Sequence, residues 1–150
     1  RLAWDGQLSV FLEENEINGE GLSKKLGGWL RRAESLRGLQ VVEYHRVWIY
    51  LMSILGMNIR TTIEERPGIP PGPQYQRRLI EQMKREGIRL ILVDNFYSLD
   101  LPRHISRETG ARMAVLPSQV GGEKGVDTYF ALIDYILDRL LEAVKDKSAL

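Results

Sequence analysis

The chain has 150 residues, 43% hydrophobic and 27% charged, with 21 Lys+Arg against 20 Asp+Glu; that length fits one domain burying roughly 68–70% of the surface its unfolded chain exposes. A net charge of +1 provides no global field to attract nucleic acid or an anionic membrane, and the absence of cysteine excludes disulfides, thiolate metal sites and cysteine nucleophiles. The longest apolar-rich stretch, Val47 to Met57, is about half the roughly 20 residues a membrane-spanning helix needs. A chain that opens on Arg1 with no leader reads as a mature protein or an excised fragment.

Residues 1–38 read as a helical segment. Trp4, Leu8, Phe11 and Leu12 fall at helical spacing, and the series resumes with Leu22, Leu26, Trp29, Leu30 and Ala33 after a break at Asn18 to Gly21. Two helices or one kinked helix are expected, closed by Arg37-Gly38. From Leu39 the pattern becomes an alternation. Strands are predicted over Leu39–Tyr44, Asn58–Ile63, Ile88–Val93 and Ala111–Leu116. Helices are predicted over Val47–Leu55, Gln74–Glu86 and Leu101–Thr109, with a last one carrying the stripe Val126, Tyr129, Phe130, Ile133, Leu137, Leu140, Leu141 and Val144. The Pro67–Pro73 block can continue neither element type. Strands separated by helices imply parallel crossovers. The predicted fold of residues 39–150 is therefore α/β, a small doubly wound lobe on a four-stranded parallel sheet, preceded by the N-terminal helical segment.

Ligands of open parallel sheets bind beyond the carboxyl ends of the strands. Tyr44-His45-Arg46 follows the first predicted strand, Asp94-Asn95 the third, and Pro117-Ser118-Gln119 the fourth. An imidazole, a carboxylate and a hydroxyl or amide would thus emerge along one edge, and His with Asp is a donor pair suited to Zn, Mn or Fe. The bland alternatives are a hydrogen-bonded structural histidine, a turn- or helix-capping Asp94, and a structural Ser118. Other chemistries lack parts. No glycine follows the first strand to admit a phosphate, no GxSxG occurs, and His104 lies between Arg103 and Arg107, where exposure is expected. Arg31-Arg32 and Arg77-Arg78 read as solvated helix faces rather than nucleic-acid contacts. The segment Val47–Leu55 has almost no polar face, so it is either the central helix of the lobe or a surface held against another domain.

Three blocks, VVEYHRVWIYLMSILGMN, RPGIPPGPQYQRRLIEQMKREGIRLILVDN and TGARMAVLPSQVGG followed by GVDTYFALIDYILDRL, together resemble the C-terminal lobe of the substrate-binding proteins of zinc- and manganese-type metal ABC transporters. The likeness runs from about Leu36 to Leu141, and residues 1–37 resemble more loosely the end of the helix that connects the two lobes of that family. It implies a carrier, not an enzyme: an extracytoplasmic protein holding a divalent metal (Zn, Mn or Fe) between two lobes as cargo, with no organic cofactor, and passing it to an ABC permease. His45 matches the family's histidine at the start of this lobe, Asp94 falls where the family has a glutamate or histidine, and Ser118 stands where an aspartate is common. The missing N-terminal lobe would supply further ligands, and a chain lacking it is expected to self-associate. Two readings from other classes stand beside this one: an enzyme domain using His45 as general base oriented by Asp94, and an interaction module without ligand.

Overall fold

The computed structural model describes residues 10–11, 14–22, 27–66 and 68–145. The predicted stripe through Trp4, Leu8, Leu12 and Leu26 lies outside the described residues, as does Pro67. At the Asn18 to Gly21 break the chain forms a small hairpin rather than a helical kink, with Glu16–Ile17 paired antiparallel to Glu20–Gly21. Asn18 and Gly19 both take positive φ, 54° and 76°. Two consecutive left-handed residues make the turn that matches strand twist, and Asn-Gly is the dipeptide that adopts it most readily.

A short helix α1 (Gly28–Arg32) and a 3-10 turn at Glu34–Leu36 lead into the α/β lobe. Its elements are β1 (Gln40–Glu43), α2 (Ile49–Ile54), β2 (Asn58–Thr62), α3 (Pro73–Glu86), β3 (Leu90–Asp94), α4 (Asp100–Thr109), β4 (Arg112–Leu116) and α5 (Tyr129–Lys145). The sheet is parallel throughout, in the order β2-β1-β3-β4. The predicted doubly wound α/β architecture is the one observed.

Alternation along the strands sorts the core into two layers. Val41, Leu90 and Leu92 pack with Met52 of α2 and with Ile133, Ile136, Leu137 and Leu140 of α5. Val42, Ile91 and Val93 pack with Leu79 and Met83 of α3 and Ile105 of α4. Every residue of β3 is buried, as expected of a central strand covered on both faces. The N-terminal segment is tied to α5 by polar and aromatic contacts. Trp29 Nε1 donates to Asp134 Oδ1 at 2.9 Å, Arg32 pairs with both Asp134 and Asp138, and the Trp29 ring lies 5.7 Å from that of Phe130.

The strand order fixes where a ligand site belongs. From β1 the chain moves to one side to form β2, then returns past β1 to form β3 on the other. The crevice between the carboxyl ends of β1 and β3 is thus the topological switch point.

Candidate metal centre

His45 follows β1 in a turn that Glu43 closes. The Glu43 carboxylate accepts from the backbone N–H groups of Val47 and Trp48, at 3.3 and 3.4 Å, and Val47 N donates to His45 O at 2.9 Å. Glu43 is 1% exposed. Burial pushes its carboxyl above the ordinary range, against the opposing pull of the Trp48 and Val47 N–H groups and the Arg46 charge.

Strand register then brings a partner to His45. The β1–β2 ladder shifts by one residue between Val41 and Val42, so that Val41 pairs with Ile59 but Val42 with Thr61 and Glu43 with Thr62. Such a bulge displaces everything beyond it by one position. The ladder continues past the strands, Ile63 N donating to Glu43 O at 2.8 Å and Glu64 N to Tyr44 O at 3.1 Å, which draws Glu64 level with His45. Glu64 Oε2 lies 2.7 Å from His45 Nδ1, with the two side chains only 12% (His45) and 7% (Glu64) exposed. The pair is close without hydrogen-bond alignment: neither Glu64 Oε2 nor His45 Nε2, both buried, has a hydrogen-bonding partner.

Aromatic rings confine the imidazole. The Tyr97 ring lies 4.0 Å from it, the Tyr44 ring 4.8 Å away edge-on, and the two tyrosines stack at 5.4 Å. The Tyr44 hydroxyl is pushed above its ordinary range, by burial first and then by the neighbouring Glu64 carboxylate and Tyr97.

The other two predicted residues sit on the same edge. Asp94 ends β3 and is 3% exposed. By alternation it shares a sheet face with Leu90 and Leu92, and its Oδ1 accepts from Phe96 N at 3.3 Å, the local turn bond anticipated for it. Asn95 Nδ2 donates to Gly122 O at 2.7 Å, tying the loop after β3 to the loop after β4 that carries the half-buried Ser118. A Cβ at Gly122 would stand 3.0 Å from Gln119 O and 3.2 Å from Pro117 Cβ, so a side chain there would need its neighbours to give by a few tenths of an ångström. His104 is exposed, as predicted.

Sequence reasoning missed Glu64, Glu43 and Tyr97. Glu64 comes directly after the second predicted strand, a position that itself marks it as a candidate; its contact with His45 depends on the bulge. Among the described residues, no three His, Asp or Glu side chains gather closely enough to hold a metal ion. What the edge does gather is unpartnered polarity. The buried side-chain atoms without a hydrogen-bonding partner among these residues are His45 Nε2, Trp48 Nε1, Glu64 Oε2 and Asn95 Oδ1, and all four belong to loops after β1, β2 or β3. Buried polar groups are ordinarily paired, so these four atoms are the ones in the loops after β1, β2 and β3 that keep hydrogen-bonding capacity unused.

The family described as the periplasmic zinc-uptake complex component A matches residues 23–143. Among solved structures, the chain is similar to the substrate-binding protein FpvC from Pseudomonas aeruginosa in complex with Mn2+, with a TM-score of 0.63 and 20% identity over 78% of this chain and 46% of that one. It is also similar to a periplasmic metal-binding protein from Candidatus Liberibacter asiaticus, with a TM-score of 0.61 and 20% identity over 77% and 44%. The laminin-binding protein Lmb of Streptococcus agalactiae, described as having adhesin and metal-transporting activity, gives a TM-score of 0.58 and 16% identity over 77% and 44%. At such identities these likenesses carry the fold, and the chain spans about half the length of each of these proteins. No curated protein matches at a significant level. Because the family match runs over most of the residues and across the whole parallel sheet, the chain belongs to the family described as zinc-uptake complex component A, periplasmic.

Proposed function

We propose that this chain is the C-terminal half of an extracytoplasmic solute-binding protein that holds a divalent metal ion between two lobes and delivers it to an ABC permease. The observation that carries this reading is His45 Nε2, buried and without a partner at the switch-point edge, in a member of a zinc-uptake family. His45 is the first ligand, through Nε2. Asp94, at the end of the neighbouring strand, is the second, and Ser118 is the third, from the loop beyond β4. A metal site takes about four ligands, so the remainder comes from an N-terminal lobe of the kind that the greater length of the solved relatives accommodates. Residues 39–150 are the metal-binding lobe and residues 1–38 the end of the inter-lobe connection.

The ion is cargo, and no organic cofactor or chemical step belongs to this reading. Imidazole nitrogen with carboxylate oxygen suits Zn, Mn or Fe, and the Irving–Williams order favours Zn among these at equal supply. A general-base role for His45 oriented by Asp94 has less to rest on, since the carboxylate beside Nδ1 is that of Glu64.

Calorimetric titration with Zn2+ and Mn2+ tests the reading. The chain should bind weakly and His45→Ala should abolish the heat, whereas His104→Ala should leave it unchanged. Binding that survives His45→Ala would overturn it.

A further inference from the structure

We infer that Glu64 is the positioning residue for His45, fixing the proton on Nδ1 so that Nε2 presents its lone pair to the ion. The inference rests on the reading of His45 as a ligand. A neutral imidazole carries one proton, and the nitrogen that holds it is set by what the other groups around the ring accept or donate. An ionised carboxylate only accepts. With Glu64 Oε2 at 2.7 Å from Nδ1, the proton belongs on Nδ1, and the electron pair on the opposite nitrogen faces a buried position without a partner. Histidines that bind metals are held in this way by a carboxylate behind the ring, which fixes orientation and raises basicity.

The surroundings fit a device for orientation. Glu64 is an 8% exposed acid, and a buried carboxylate is costly unless a polar partner offsets it. His45 Nδ1 is the partner at hand. Glu64 is anchored by its own backbone bond to Tyr44 O, so the two residues move as one piece of sheet edge. Tyr97 and Tyr44 restrict the ring from its sides, leaving a small rotation as the adjustment that brings the Nδ1 proton onto Oε2.

Imidazole nitrogen NMR on the 150-residue chain, at a pH where the ring is neutral, reads the tautomer directly and needs no metal. The chain has two histidines, so a His104→Gln variant assigns the signals. His45 should be the Nδ1–H tautomer in the parent chain and shift toward Nε2–H in Glu64→Ala. Zn2+ affinity should fall on the order of 10- to 100-fold in Glu64→Ala and less in Glu64→Gln, which keeps an acceptor oxygen of the same reach. An Nε2–H tautomer in the parent chain would overturn the inference, as would unchanged Zn2+ affinity in both Glu64 variants alongside loss in His45→Ala. Unchanged affinity in His45→Ala would instead remove the ligand reading, while the metal-free tautomer would still decide what Glu64 does to the ring. Should Glu64→Ala fail to fold, the parent tautomer and the near-isosteric Glu64→Gln carry the test.

Discussion

Glu43 shows how one side chain both shapes the site and taxes the fold. Its carboxylate organises the turn that presents His45 by accepting two backbone N–H groups, yet burial raises its pKa from an ordinary value near 4.5. A carboxyl whose folded-state pKa lies above its unfolded value binds its proton more tightly when folded. Within the window that opens near 4.5 the folded state holds more protons, so this group's contribution makes stability fall as pH rises through the window. Glu43→Gln keeps an acceptor oxygen and removes the buried charge. Its urea midpoint should match that of the parent chain in acid and exceed it at neutral pH, which denaturation at both values would reveal. An advantage confined to acid pH would reverse the sign and refute the account.

At the scale of elements, local pattern and packing agree closely. Of the stripe read for the last helix, Ile133, Leu137 and Leu140 are buried on α5, whereas Val126 precedes the helix and Tyr129 and Phe130 at its start are exposed; α3 and α4 stop at the left-handed Gly87 and Gly110. The boundaries move for identifiable reasons. Leu39 N is taken by Leu36 O in the 3-10 turn and Ile88 N by Met83 O beyond α3, so those residues close helical turns instead of opening strands. Val47 and Trp48 donate to Glu43, which delays α2 to Ile49. Because α5 and α2 together pack one face of the sheet, Leu137→Ala, at a position 0% exposed, should lower stability by about 2–5 kcal/mol. The change should appear as a lower denaturant midpoint with an unaltered slope.

For the whole molecule, the distribution of exposed apolar side chains is as telling as the core. Val47, Ile49 and Tyr50 near the start of α2, Phe96 and Tyr97 after β3, and Val120 after β4 are all exposed, and their segments all begin at the carboxyl edge that carries His45. Only part of Val47–Leu55 behaves as the expected central helix. Met52 and Leu55 join the core, while Tyr50 remains 72% exposed. Apolar groups rimming a polar site are the mark of a surface used for contact. The chain by itself should therefore associate in a concentration-dependent way, read by sedimentation velocity. A strictly monomeric species at high concentration would count against this edge as an interface.

By itself the sequence determined the alternation of strands and helices, the two-layer core and the place of His45 and Asp94 at strand ends, because hydrophobic period and glycine stops act over a few neighbouring residues. Tertiary structure alone decided which carboxylate meets His45. That choice required β2 to lie beside β1 and the ladder to slip by one residue at Val41/Val42; had the register run on unbroken, Ile63 rather than Glu64 would stand level with the imidazole. Strand neighbours and bulges arise from backbone pairing between segments distant in the chain, and the side-chain periodicity of either segment does not encode them.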